Sequence, residues 1–255
     1  FATSREAGCH TICMHNSGIV SDLYNRPQTI PETARSMNEP ISKRKIVGGL
    51  RHRLVLLLDE LKMAERRTLQ NALALAEEAH DEQFRPASIA SAKRGLPFIA
   101  HPMRVALILL EELEMKDTIA LAGALLHDVV ETRRKNTSIA DIERSFGRSV
   151  AMMVSILTMP EIPPGATEEE VKSKVNIFYQ RIRQASVSAR IVKIASRLDT
   201  VREAAEWLDL SARRMLLDEA TEVYLPLARD TDGYLMEELE IACEQLEESL
   251  KGSPA

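Results

Sequence analysis

From Arg53 onward, apolar residues recur at intervals of three and four, the period of one helix face. Leu54, Leu57, Leu58 and Leu61, then Leu69, Leu73, Leu75 and Ala76, predict one or two amphipathic helices ending near His80. The stretch from Glu82 to Pro97 carries two prolines and a glycine and predicts a loop. Pro102 suits the first turn of a helix, expected over about 102–114. Asp117 and Thr118 start the next, which should reach about Glu131. Ser138 caps a short helix to Phe146, and Gly147 divides it from a helix over about 148–158. The proline-rich run from Met159 to Gly165 breaks the pattern. Helices are then expected over about 167–184, 187–206, 210–230 and 233–250, the last with a stripe of Leu235, Leu239, Ala242 and Leu246. No segment alternates as a strand would, so the fold class expected is all-α.

Residues 1–40 differ from the rest. They mix Gly, Ser, Asn, Pro and Thr without a helical period, and are expected to form a disordered leader before a single helical domain over 41–255. Glycine (10 of 255 residues) and aromatics (4%) are scarce, which favours helix over sheet. A net charge of −5 gives no electrostatic ground for binding a DNA or RNA duplex, although a local basic pocket for a phosphorylated small molecule is compatible with it. No apolar run approaches the ~20 residues of a membrane span. Cys9, Cys13 and Cys243 make no disulfide framework, and the Cys9-to-His15 segment lacks the second half of a zinc finger, so a cytoplasmic protein is expected. The last helix, with its apolar stripe, either closes the bundle or supplies the face of a homodimer.

Candidate chemistry centres on His127 and Asp128. They adjoin the apolar run Ala120–Leu126, where an ionisable group is costly unless paired or bound to a metal. An imidazole beside a carboxylate offers one nitrogen and one oxygen ligand, a combination that suits Mn, Fe, Zn or Mg. His101 at a helix start and an acidic residue near 196–199 are the other groups that a helical bundle can bring to the same cation. Glu131, one turn beyond the pair, faces broadly the same side and can act on a metal-polarised water.

Several segments in order carry a wider resemblance. These are AHDEQFR (79–85), GLPFIAHP (95–102), AGALLHDVVE (122–131), FGRSVA (146–151), VKIASRL (192–198) and EVYLPLA (222–228). Together the chain resembles the HD-domain phosphohydrolases, and within them the hydrolase domain of the RelA/SpoT family, which removes the 3′-pyrophosphate from (p)ppGpp. The resemblance implies an HD-type helical bundle and a divalent cation, usually Mn²⁺, held by His101, His127 and Asp128. It implies Glu131 and the position of Thr132 as the catalytic pair. Arg85, Lys93, Arg94 and the position of Thr200 would contact the nucleotide.

Four positions depart from the family pattern. Ser196 stands where the fourth metal ligand, an aspartate, is expected; Thr132 replaces the second acid; Thr200 replaces an asparagine; and Asp199 replaces the histidine before it. Asp199, one helical turn beyond Ser196, is the substitute ligand to consider, about 4.5 Å further along the axis. Two other readings follow: a degenerate domain that binds a nucleotide or a partner protein without chemistry, and a nucleotidase acting on nucleoside monophosphates.

Overall fold

A computed structural model describes residues 41–85, 95–132, 137–163 and 165–251. The leader expected over 1–40 and the loop residues Lys93 and Arg94 lie outside them. The described residues are helical, with no β-strand among them beyond one isolated bridge between Phe84 and Pro97. In chain order the α-helices are α1 (Ile41–Asp59), α2 (Met63–Ala79), α3 (Ala100–Leu107, continued by a π turn at Ile108–Glu112), α4 (Thr118–Leu126), α5 (Ile139–Phe146), α6 (Arg148–Leu157), α7 (Glu168–Arg183), α8 (Val187–Trp207), α9 (Leu210–Glu219), α10 (Leu225–Arg229) and α11 (Gly233–Lys251).

Local chemistry sets several boundaries. Asp117 accepts a hydrogen bond from the Ile119 amide, and Ser138 and Thr167 each close a capping box with the acid three residues on. Gly147 has φ +83°, a conformation that lets α5 turn directly into α6 and that L side chains resist. The helix expected over 210–230 is interrupted by a π turn at Ala220–Tyr224. Pro226 is the reason: it donates no amide hydrogen and crowds the carbonyl four residues earlier, so the helix widens ahead of it. The helix expected to reach Glu131 stops at Leu126, for a reason that belongs to the site.

The core is built around α8, which packs on α3, α4, α6, α7 and α9 and, along its length, on α11. The α11 stripe of Leu235, Leu239, Ala242 and Leu246 is buried in this contact, so it closes the bundle and is not free to form the face of a homodimer. Eight consecutive α8 residues, Val192–Asp199, are buried. A helix enclosed on all sides is normally apolar all round, yet this one carries Lys193, Ser196, Arg197 and Asp199. Each buried polar group must therefore find a partner.

Arg197 finds Glu219, 2.9 Å away, with its guanidinium over the Tyr224 ring at 4.6 Å; Tyr179 also donates to Glu219. Arg197 is buried, and the Glu219 side chain keeps only about 10% of its surface exposed. Replacing Glu219 with alanine leaves the guanidinium short of negative charge, and urea unfolding should show a loss of about 3 kcal/mol. A change below about 0.5 kcal/mol, typical of a surface site, would contradict this account.

Candidate metal centre

α4 brings His127 to the end of a segment, Ala120–Leu126, whose every residue is buried. His127 Nδ1 lies 2.9 Å from the Ala124 carbonyl, so the side chain takes the oxygen that would have accepted the next backbone amide. The helix ends there, and the chain continues through Asp128 to Glu131 as turns. α3 supplies His101 from its first turn, and α8 supplies Ser196 from its buried middle.

These three elements gather four atoms. His101 Nε2 is 3.2 Å from His127 Nε2, and Ser196 Oγ is 3.2 Å from each of them. Asp128 Oδ2 is 3.3 Å from His127 Nε2 and 3.8 Å from His101 Nε2. Two ligands bound at ~2.1 Å and at right angles on one cation would stand ~3.0 Å apart. The cluster has nearly that spacing, and His101, His127 and Asp128 could hold one ion together.

The outer nitrogen of each ring sets its tautomer. Asp199 Oδ2 lies 2.6 Å from His101 Nδ1, and Arg104 grips the same carboxylate at 2.5 and 3.1 Å. Burial works against the Asp199 charge, but His101 and Arg104 outweigh it and hold the carboxyl well below the usual range. An ionised carboxylate only accepts, so Nδ1 of His101 carries the proton. The Ala124 carbonyl places the proton on Nδ1 of His127 by the same logic. Both Nε2 atoms therefore present lone pairs to one another across 3.2 Å, with a carboxylate oxygen beside them. Only the Ser196 hydroxyl can donate within the group. Such a set is complementary to a cation.

The remaining electrostatics agree with it. Burial, followed by the charge of Arg85, lowers the His101 pKa to about 3, and burial also lowers that of His127, so both rings are neutral at neutral pH. Burial opposes the Asp128 charge, but the two histidines and Lys193 overcome it and depress its pKa. Glu131 moves the other way: burial, then the Asp128 charge, raise its pKa to about 7. Its Oε1 accepts from the Met159 amide at 2.7 Å.

These shifts predict how metal-free protein responds to acid. His101 and His127 titrate lower folded than unfolded, so their contribution is present above pH ~6.5 and is lost as pH falls. Glu131 is opposite, destabilising as pH rises from 4.5 towards about 7. Burial depresses His80 in the same sense as His101 and His127, while Glu203 and Glu222 shift with Glu131; because the histidines are the more deeply buried set, chelator-treated protein should melt at a lower temperature at about pH 5 than at about pH 7. The drop should steepen in Glu131→Gln; an unchanged melting profile between these conditions would refute the neutral buried histidines.

The structure thus brings His101, His127 and Asp128 together, adds Ser196, and sets Glu131 nearby. Asp199, the candidate substitute ligand, does not join them. A residue three positions after Ser196 is rotated about 60° around the helix and raised about 4.5 Å, and its carboxylate meets the outer nitrogen of His101, behind the ring. Thr132 accepts from Gln83, whose own oxygen lies 2.8 Å from His80 Nδ1. Thr200 donates to the Ser196 carbonyl of its own helix at 3.0 Å. Arg85 is buried between Phe98 (5.2 Å) and Trp207 (4.9 Å), 3.5 Å from Asp199, and so faces inward. Arg104 and Glu203 join the polar network without any motif to announce them. Lys193 falls within the quoted segment VKIASRL, but that resemblance assigns it no role.

Comparison with known proteins places these observations in a wider set. A model of the HD domain matches residues 72–232. The bifunctional (p)ppGpp synthase/hydrolase SpoT of Escherichia coli is 32% identical over 163 residues, covering 63% of this chain and 21% of SpoT. The human guanosine-3′,5′-bis(diphosphate) 3′-pyrophosphohydrolase MESH1 is 31% identical over 109 residues, 43% of this chain and 56% of MESH1. The chain thus spans about a fifth of SpoT and just over half of MESH1. A solved structure of a metazoan ortholog of SpoT superimposes with a TM-score of 0.58 at 23% identity, covering 70% of this chain and 94% of that one. It shares the all-α fold.

Proposed function

The chain belongs to the HD domain family, and on that premise we propose that it is a metal-dependent phosphohydrolase acting on a small nucleotide, guanosine-3′,5′-bis(diphosphate) first among the candidates. One observation carries the reading. Two Nε2 lone pairs, a carboxylate oxygen and a hydroxyl converge at 3.2–3.8 Å, an electron-rich group that a divalent cation would complete. His101, His127 and Asp128 would hold the ion, with Ser196 as a neutral fourth donor. Mn²⁺ is our first choice, and the donor set also suits Fe and Zn. We take residues 41–255 as one helical domain working in the cytoplasm.

A bound divalent cation supplies Lewis acidity and makes water a nucleophile near neutral pH. Glu131 takes the role of general base, because its pKa of about 7 lies where proton transfer is most effective. The Met159 amide fixes the orientation of its carboxyl. Thr132 brings no second carboxylate, so it steers by hydrogen bonding and leaves Glu131 as the base. Lys93, Arg94 and Thr200 remain nucleotide contacts in this proposal, whereas Arg85 supports Asp199.

Protein loaded with Mn²⁺ and incubated with ppGpp should release pyrophosphate, and deoxynucleoside monophosphates assayed alongside test the nucleotidase reading. Elemental analysis gives the metal per chain. Stoichiometric metal without turnover of any nucleotide would overturn the hydrolase proposal. It would support the second reading, a domain that binds without chemistry, which Ser196 and Thr132 in place of acids favour.

A further inference from the structure

Lys193 stands one turn before Ser196 on the buried face of α8 and is only 6% exposed. Its ammonium lies over the Phe178 ring, 4.9 Å from the centroid, and the Arg181 guanidinium lies 5.3 Å from the centroid of the same ring. Arg181 donates to the Thr158 carbonyl, one residue before the amide that holds Glu131, and its buried Nε has no hydrogen-bond acceptor. Among the described residues, neither cation has a carboxylate oxygen within 4.0 Å, and the charges of Asp128 and Glu131 reach them only from further away. The opposite end of the site differs. There Arg85 and Arg104 both contact Asp199, and Arg104 also reaches Glu203 at 2.5 Å.

An aromatic face relieves only part of the penalty for burying an ammonium. Beside a site complementary to a divalent cation the penalty grows, because like charges repel most strongly where water is excluded. An anion shared by both removes the conflict. Phosphate oxygens have the charge and the size to bridge a metal and an ammonium. Resting on the phosphohydrolase reading, we propose that Lys193, supported by Arg181 across Phe178, binds the phosphate group next to the metal.

The test is calorimetric titration with inorganic pyrophosphate into Mn²⁺-loaded and chelator-treated protein, using the wild type, Lys193→Met and Lys193→Arg. Methionine keeps the apolar stem over Phe178. Loss of one charged hydrogen-bonding group should weaken pyrophosphate binding about ten- to hundredfold. Mn²⁺ affinity should stay equal or tighten, since a repelling charge is gone, and arginine should recover most of the binding. If Lys193→Met does not fold, Lys193→Gln takes its place in the same measurement. Unchanged pyrophosphate affinity, no pyrophosphate binding by metal-loaded wild type, or a parallel fall in Mn²⁺ affinity would each overturn the proposal. If wild type binds no Mn²⁺, the phosphohydrolase reading fails, and titration of the metal-free protein still decides the role of Lys193. Wild type that binds pyrophosphate through Lys193 yet hydrolyses no nucleotide sinks the hydrolase reading and leaves this one standing.

Discussion

Replacing Ser196 with aspartate is expected to tighten Mn²⁺ binding by roughly tenfold or more, because it turns a neutral donor into a charged one. The geometry favours the change. Ser196 Oγ already lies 3.2 Å from both Nε2 atoms, and aspartate extends from the same backbone position. The second consequence has the opposite sign. Without metal, a new carboxylate would share a buried space with Asp128, where like charges and burial both disfavour ionisation. Metal-free Ser196→Asp should therefore melt below wild type, and the Mn²⁺-loaded variant above it. Titration calorimetry and paired melting curves measure both effects. An unchanged affinity would mean that Ser196 does not face the ion, and the proposed ligand set would be wrong.

Replacing Asp199 with asparagine is expected to weaken metal binding about ten- to hundredfold without removing any ligand, the usual effect of losing the group that orients a metal-bound histidine. Asp199 imposes one tautomer on His101 because it can only accept. Asparagine can present either an oxygen or an NH₂ group, so both tautomers of the ring become accessible. It also removes the charge opposite Arg104 and Arg85, and stability should fall by about 3 kcal/mol, as when a buried pair is broken. Nitrogen NMR of the imidazoles separates the two effects. A positioning role predicts that His101 shifts toward the Nε2-protonated form while His127 does not. Weaker metal binding with an unaltered His101 tautomer would reduce Asp199 to a purely structural part.

Much of this was legible in advance, and the misses have physical causes. Helix starts at Asp117, Ser138 and Thr167 follow from capping chemistry that is local in sequence. His101, His127 and Asp128 stand out because ionisable groups beside buried helix are rare. The end of α4 was missed because a side chain, His127, caps the helix from within its own last turn. Asp199 is expected from its spacing as a substitute ligand for the cation, whereas its carboxylate meets the outer nitrogen of His101. Spacing along one helix cannot say how deep a ring from another helix reaches. Arg104 and Lys193 were invisible for a related reason, since their meaning depends on partners far away in the chain.

The isolated bridge near the site works as a clasp. The Arg85 amide donates to Leu96 and the Phe98 amide to Gln83, each at 2.9 Å, so both ends of the intervening segment are tied together beside His101. With its ends fixed, doubling the length of such a segment adds only about 0.6 kcal/mol of closure entropy. The two hydrogen bonds hold the end of α2 against the start of α3, and with it the approach to His101, by backbone contacts alone. A side-chain substitution at Gln83, Phe84, Arg85 or Leu96 leaves such a fastening in place, so the position of His101 is insulated from changes in the sequence that fastens it.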